Sequence, residues 1–448
     1  MKKLFGTDGI RGRDGEYPLD RPTVTKIGFA IAKKMSEQIE NPKVIIGRDT
    51  RESGTWIDEA IAQGIVSAGA TAVHCGIMTT PGLSYLTKRE EFDAGVMISA
   101  SHNPYHDNGI KIFSGNGMKL ADETEIEIEK IILSHQGASE HRPFARHEVD
   151  GVRLKEDYID FLCGVVQDSS FFRKLRIVID CANGSASSLA PDVFRRLGDR
   201  ALFIHSSPDG RNINLNCGSL HMESLISTVT EEQADLGIAF DGDADRALFI
   251  DRNGNLIDGD HTMYAAALKL RKEKKLRNDT VAGTVMSNMW LEKKLASHGI
   301  SFIRANVGDK YVLEKMLEHG LTLGGEQSGH IIFLDHAPSG DGILTSLKFI
   351  ESTFGMGVDP VDALSGIIPF PQLLINIRVS SRPDLSKHAA ISQTIRDVEQ
   401  KLSGNGRVLI RYSGTEPLAR VMVEAEKEED VRKFAHLIAD EISKHIGA

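Results

Sequence analysis

The sequence predicts an α/β protein built from three successive α/β units and a different, smaller α+β domain at the carboxyl end. Three observations carry this. At 448 residues the chain exceeds one compact core and allows about three or four ordinary domains. Short β-branched runs alternate with amphipathic helical stretches over most of it. A polar stretch at 134–151, the turn RNGN at 252–255 and the pair Pro369 and Pro371 divide that alternation, marking domains at 1–150, 151–256, 257–368 and 369–448.

In the first unit KVIIG at 43–47 reads as a strand, followed by a helix near 53–68, AVHCG at 72–76 and AGVMISAS at 94–101. The pattern restarts with a helix near 155–166, RIVID at 176–180, a helix near 187–197 and ALFIHS at 201–206. LGIAF at 236–240 runs into Asp241-Gly242-Asp243-Ala244-Asp245-Arg246, and ALFID at 247–251 with the turn RNGN closes that unit. The third has helices near 260–273, 288–297 and 309–318, strands at 280–286 and 301–306, and the Gly-rich LTLGGEQSGHIIF at 321–333. The tail reads as a helix over 384–403, strands at 407–411 and 420–425 and a helix over 428–445, after a leading strand. No strict solenoid period accompanies this repetition.

Composition excludes several classes. Apolar residues at 41% and charged residues at 26% describe a globular chain, neither disordered nor fibrous. A net charge of -10 argues against nonspecific nucleic-acid binding, so an anionic ligand must be met by local cations. Cys75, Cys163, Cys181 and Cys217 are widely spaced with no Cys-x-x-Cys pair, which suggests a reducing cytoplasm rather than a disulfide framework or zinc site. The basic start breaks at Gly6 and Asp8 before any signal h-region, and no run of about 18 apolar residues occurs, so neither export nor membrane insertion is expected.

Four segments carry chemistry. In GVMISASHNPYHDNGIKIF at 95–113, Ser101 and His102 follow a buried-looking strand and precede Pro104. Ser101 is then presented at a strand's carboxyl end, where open α/β sheets place ligands, although a polar turn explains the same residues. Asp241, Asp243 and Asp245 repel one another unless a cation lies between them, and all-oxygen donors select magnesium or calcium. The EF-hand reading fails because Arg246 and Arg252 stand where Gly and Glu are required; a solvated acidic turn remains the alternative. In Gly324-Gly325-Glu326-Gln327-Ser328-Gly329-His330 the glycines permit close ligand approach, Glu326 and Ser328 suit sugar hydroxyls, and His330 titrates near neutrality; a plain hairpin with a satisfied histidine accounts for it equally. Arg411-Tyr412-Ser413-Gly414-Thr415-Glu416-Pro417, with Arg420, suits a dianionic phosphate or an ordinary surface turn, and lacks the Gly-Lys-[Ser/Thr] ending of a Walker loop.

Taken together and in this order, the four segments resemble the active-site loops of the α-D-phosphohexomutase superfamily, over the whole chain. The resemblance implies four domains around a central cleft, the first three related, each contributing one loop. It implies that Ser101 is phosphorylated and that Ser101, Asp241, Asp243 and Asp245 hold one Mg²⁺. Arg246 is then the charge partner of the phosphoryl group, Lys111 and His330 are general acid/base candidates, and Arg11 of Phe-Gly-Thr-Asp-Gly-Ile-Arg-Gly is an active-site cation. Glu326 and Ser328 would grip the sugar, while Arg411, Ser413, Gly414, Thr415 and Arg420 would hold the phosphate that is not reacting. The opening octet and Gln327 are similar to the phosphoglucosamine mutase branch, which implies an amino-sugar phosphate substrate and a glucosamine 1,6-bisphosphate intermediate and activator. The rivals at this point are the phosphomannomutase/phosphoglucomutase branch, a metal-dependent sugar phosphatase and a noncatalytic sugar-phosphate binder. A homodimer is the superfamily expectation, and the proline-marked 369–371 suggests a hinge on which the fourth domain closes.

Overall fold

The computed structural model describes residues 4–6, 8–135, 151–198, 200–413 and 417–448. They form two compact units, one within 1–284 and 302–365, the other within 285–301 and 366–448. Most of the polar stretch at 134–151 lies outside the described residues, as do Gly414 and Thr415.

The first unit holds three sheets. A six-stranded sheet runs in the order Phe5–Gly6, Gly9–Arg13, Asp107–Ser114, Ala94–Ile98, Lys43–Arg48, Thr71–Ile77. A five-stranded sheet runs Leu256–Ile257, Ala247–Asp251, Leu236–Phe240, Ile177–Asp180, Ala201–Ile204, and a four-stranded one Ser301–Ala305, Thr280–Thr284, Leu323–Gly325, Ile331–Phe333. Each repeats one device. A strand lying parallel to its neighbour (Ala94–Ile98, Leu236–Phe240, Leu323–Gly325) leads into a loop and returns as an antiparallel strand (Asp107–Ser114, Ala247–Asp251, Ile331–Phe333). The outgoing strands are buried along their whole length, which is why they read as continuous apolar runs instead of alternating ones. Gly324-Gly325-Glu326-Gln327-Ser328-Gly329-His330 is therefore a hairpin connection, Gly325 pairing with Ile331.

Several elements stop short of their expected ends for local reasons. The 94–101 run leaves the sheet at Ile98 because Ser101 takes a left-handed φ of 52°, and 201–206 leaves it at Ile204 because His205 takes 45°. The helix expected near 155–166 spans Gly151–Gly164. That expected over 384–403 begins only at Ala389, since Asp384 instead caps a 3₁₀ turn, Leu385–Lys387, by accepting from Ser386 N.

The second unit packs helices Ala389–Leu402 and Glu428–Ile446 on an antiparallel sheet in the order Gln372–Arg378, Leu418–Ala425, Gly406–Tyr412. Val398, Val421, Phe434 and Ile438 lie in its core. It also takes in the helix Met289–Ser297, which the sequence reading placed in the third domain. Fully buried Glu424 explains why: it accepts from Met289 N at 2.7 Å and from Arg407 Nε at 2.5 Å, while Arg407 also donates to the carbonyls of Val285 and Ser287. Among the described residues no helix is long and apolar enough to cross a membrane.

Buried Asp341 caps the helix Gly342–Ser352 by accepting from Leu344 N and also accepts from Tyr158 Oη at 2.7 Å. Burial pushes its carboxyl up to about 6 from 3.8. A raised folded-state value means that its contribution is complete below the unfolded value and is lost as pH rises through about 6, by about 3 kcal/mol. Asp341→Asn, which keeps a capping oxygen, is expected to flatten the fall in stability between those values and to raise stability at pH 7. Denaturant midpoints across that window measure both effects.

Candidate active site

The loops that follow the three outgoing strands bring distant residues together in the first unit. Ser101, 1% exposed, donates from Oγ to Asp241 Oδ2 at 2.5 Å across 140 residues of sequence. Its left-handed backbone is held from both sides. Arg51 Nη2 donates to the carbonyls of Ser101 (3.1 Å) and Asn103 (2.6 Å), and Asn214 Nδ2 donates to the same two at 2.9 and 3.1 Å. Arg51 is itself completely buried and paired with Asp49. At Gly242 a Cβ would come 2.5 Å from the Ser101 carbonyl, so only glycine lets the acidic loop approach the serine loop this closely.

Asp241, Asp243 and Asp245 are all buried, and one carboxylate oxygen from each lies within 4.8 Å of the other two. Asp243 Oδ2 accepts from Lys111 Nζ at 2.9 Å and Thr80 Oγ1 at 2.5 Å; Asp241 Oδ1 accepts from Arg246 N at 3.2 Å. The second oxygens of Asp243 and Asp245 are buried without a hydrogen-bond partner. Burial, then repulsion from Asp245 and Asp243, drives the Asp241 carboxyl well above the carboxylate range. For Asp245 burial acts the same way, but Lys111, His330 and Arg246 outweigh it and hold the group down. Three buried carboxylates, two of them with an orphaned oxygen, and a hydroxyl beside them form an all-oxygen donor set that fits a hard divalent cation, whose charge would relieve their mutual repulsion.

Around this cage lies a charge network. Lys111, 2% exposed, also reaches Asp8 at 3.2 Å and Asp245 at 3.7 Å. Burial opposes its charge, yet Asp243, Asp8 and Asp245 together keep it protonated, so it serves as a donor rather than an acceptor. Arg11 pairs with Asp8 and points Nη1 at the Ala100 carbonyl, 3.5 Å away. Lys119 bridges Asp8 and Asp309, both at 2.6 Å. His102 Nδ1 lies 3.4 Å from Ser101 Oγ, and burial followed by the Arg246 and Arg11 cations lowers its imidazole from the usual range.

His330, 4% exposed, stands with Nδ1 3.6 Å from Asp245 Oδ2, while Nε2 accepts from Gly340 N at 3.0 Å. Burial alone would discharge the ring, but Asp245, Asp309 and Glu326 raise it above its ordinary value. Glu326 accepts from Gly308 N at 3.0 Å, and Ser328 Oγ is buried without a hydrogen-bond partner, an open polar position in the hairpin loop. Gln327 donates to Asp258 Oδ2 at 3.1 Å, which engages its amide in holding the loop to the cap of the helix Gly259–Lys272.

In the second unit Arg411 and Arg420 stand directly opposite one another on neighbouring antiparallel strands. Like charges so placed repel unless an anion bridges them. Burial, and then Arg420, lowers Arg411 below its ordinary value. Ser413, which follows Arg411 by two residues, is 6% exposed and donates its N–H to the Leu418 carbonyl.

Sequence reasoning missed Arg51, Asn214, Asp8, Lys119 and Asp309. Asp8 sits inside the octet that drew attention to Arg11, so its carboxylate was a readable signal. The other four are single polar residues in unremarked positions, and only the fold supplies their partners.

Four family models match the chain: phosphoglucomutase/phosphomannomutase α/β/α domain I over residues 2–138, domain II over 156–254, domain III over 258–368, and the C-terminal domain over 374–441. A phosphoglucosamine mutase of Koribacter versatilis is 47% identical, covering 100% of this chain and 98% of that one. One of Caldicellulosiruptor bescii is 46% identical with 100% of both chains covered. Among solved structures, a phosphoglucomutase/phosphomannomutase family protein of Burkholderia thailandensis superposes with TM-score 0.79 at 22% identity, over 99% of each chain. The Aspergillus fumigatus N-acetylphosphoglucosamine mutase, in complex with GlcNAc-6P and magnesium, gives 0.66 at 17% identity, over 99% of this chain and 96% of that one. At these identities the two structures establish the fold.

Proposed function

This chain belongs to the phosphoglucomutase/phosphomannomutase family, and from that membership we propose that it interconverts glucosamine 6-phosphate and glucosamine 1-phosphate, the phosphoglucosamine mutase reaction. The observation that supports this most strongly is the 2.5 Å approach of the Ser101 hydroxyl to Asp241 within a buried carboxylate trio. A group able to carry a phosphoryl unit and a cage able to hold a cation come from segments far apart in the chain. The enzyme is then an isomerase, and its product supplies UDP-N-acetylglucosamine and cell-wall precursor synthesis in the cytoplasm. A homodimer accompanies the same reading.

In this reading phospho-Ser101 gives its phosphoryl group to the free C1 hydroxyl of glucosamine 6-phosphate: the Ser101 Oγ–P bond breaks and the sugar O–P bond forms. The resulting 1,6-bisphosphate turns end for end, and its 6-phosphoryl group returns to Ser101, leaving glucosamine 1-phosphate. Asp241, Asp243, Asp245 and Ser101 Oγ would hold Mg²⁺, which supplies charge neutralisation of the phosphoryl oxygens when bound. Arg246, whose buried Nε stands 3.6 Å from Asp245 Oδ1, would meet the same oxygens. Lys111 and His330 are the proton donor and acceptor candidates, Lys111 entering as the ammonium. His102 and Arg11 line the serine loop. Glu326 and Ser328 orient the sugar, and Arg411, Ser413 and Arg420, with Gly414 and Thr415, anchor the phosphate that is not transferred.

Turnover on glucosamine 1-phosphate, glucose 1-phosphate and mannose 1-phosphate, with a catalytic trace of bisphosphate, tests the reading. The amino sugar is expected to give the highest kcat/KM with total sugar phosphate conserved. Equal or higher kcat/KM for a neutral sugar would instead support the phosphomannomutase/phosphoglucomutase branch, and inorganic phosphate matching substrate loss would support a phosphatase. Gln327 is engaged with Asp258, so Gln327→Met is expected to change the ranking less than Ser328→Ala does.

Asn214 and Arg51 are positioning residues, since they hold the serine's carbonyl and not the reacting atoms. Asn214→Asp, isosteric and tolerant of the left-handed φ of 58°, places carboxylate oxygen against two carbonyls. It is expected to lower kcat about 100-fold with KM nearly unchanged, the scale of a misplaced reacting group. Steady-state kinetics at saturating bisphosphate separate the two constants.

A further inference from the structure

A second group of unlike donors lies at the carboxyl edge of the five-stranded sheet. Asp180 ends the strand Ile177–Asp180, His205 follows the adjacent parallel strand Ala201–Ile204, and Cys217 closes the loop after it. One atom from each lies within 4.8 Å of the other two. Asp180 is fully buried and fixed, accepting from Ala182 N at 2.8 Å and Gly218 N at 2.9 Å. Cys217 is 1% exposed, and its sulfur meets Asn183 Nδ2 at 3.9 Å. The His205 side chain is 30% exposed, so solvent reaches the group past the imidazole. Its Nδ1 is buried 3.0 Å from Asp180 Oδ2, yet off the line that a hydrogen bond requires. The backbone here is unusual as well, with left-handed φ at Ala182 (54°), Asn183 (47°), His205 (45°), Asn214 (58°) and Asn216 (51°).

We propose that Asp180, His205 and Cys217 form a second metal site, for a transition-class divalent cation such as Zn²⁺, separate from the acidic cage at Asp241, Asp243 and Asp245. One oxygen, one imidazole nitrogen and one sulfur suit a borderline-soft ion and disfavour Mg²⁺, which takes oxygen ligands in octahedral geometry. Three protein ligands leave a fourth, tetrahedral position for water on the His205 side. Binding breaks the Cys217 S–H bond, forms the metal–sulfur bond and releases the proton to solvent. Because the thiol must lose its proton to bind, affinity falls as pH falls. The site sits beneath the loop that supports the serine segment. Asn214 reaches the Ser101 and Asn103 carbonyls from it, and the Asn183 carbonyl accepts from Thr50 Oγ1. A cation at this point ties that loop to the sheet.

The test is a Co²⁺ titration of the chelator-stripped full-length protein in excess Mg²⁺, followed by thiolate-to-cobalt charge-transfer absorption in the near ultraviolet. The expected result is a band saturating at one equivalent, bleached by Zn²⁺, lost in Cys217→Ser and retained in Asp243→Asn. His205→Asn, chosen because asparagine tolerates the left-handed backbone, is expected to weaken Co²⁺ binding at least about tenfold. Absence of the band in the wild-type protein, or its survival in Cys217→Ser, overturns the proposal. Should Cys217→Ser not fold, unchanged Co²⁺ affinity in His205→Asn overturns it equally. The readout is independent of mutase turnover, so failure of the proposed function would leave it standing.

Discussion

Ser101→Ala is expected to lower kcat by about 10⁴-fold or more, the scale seen when a covalent nucleophile is removed. The substitution deletes the only atom proposed to carry the phosphoryl group and changes little else, since the carbonyl contacts from Arg51 and Asn214 remain. What it loses structurally is the 2.5 Å hydrogen bond to Asp241. Serine already carries a Cβ at this φ of 52°, so alanine adds no new backbone strain that could unfold the chain. Retained divalent-cation binding, a normal circular-dichroism spectrum and loss of the phosphoryl mass increment should accompany the inactivity. Inactivity together with loss of the fold would say nothing about the nucleophile, so the spectrum and the kinetics belong to one experiment.

Asp243→Asn should be comparably severe through a different route. One Asp243 oxygen accepts from both Lys111 and Thr80, and the other is buried with no hydrogen-bond partner. An amide in its place removes one of three charges from the cage and presents a donor where a cation is proposed. Mg²⁺ affinity is expected to fall at least about 100-fold and kcat about 10³-fold. The wild-type protein should gain about 2.7 kcal/mol of stability at a Mg²⁺ concentration 100 times its Kd, and the variant should gain almost none at that concentration. Without Mg²⁺ the order is expected to narrow or invert, because the substitution relieves the repulsion that drives Asp241 upward. Thermal melts with and without the ion separate these effects.

The parts of the protein legible in the sequence are those written in contiguous residues. Leu236–Phe240 and Ala247–Asp251 appear where their apolar runs stand, because strands buried along their length need unbroken hydrophobic stretches. The Asp241–Asp245 triplet announces itself because three carboxylates at alternate positions require an explanation. The strand Asp107–Ser114 was less visible as a strand: Asn108 and Gly109 are poor strand formers, and its pairing with Ala94–Ile98 and Gly9–Arg13 overrides them. Arg51, Asn214, Lys119 and Asp309 left no local pattern at all. The groups they reach across the fold lie between 50 and 190 residues away, and a lone buried cation or amide becomes meaningful only beside the groups it satisfies. The contacts that Glu424 and Arg407 make with Met289, Val285 and Ser287 follow the same rule, since they reach across more than 100 residues.

The most direct measurement follows a labelled phosphoryl group through a single turnover. Enzyme phosphorylated on Ser101 from labelled bisphosphate is mixed with excess unlabelled glucosamine 6-phosphate and quenched on the time scale of kcat. Label is expected to leave the protein at a rate no slower than kcat and to appear in sugar phosphate, with inorganic phosphate at background. Label that stays on the protein while product forms, or that emerges as inorganic phosphate, would contradict transfer through Ser101.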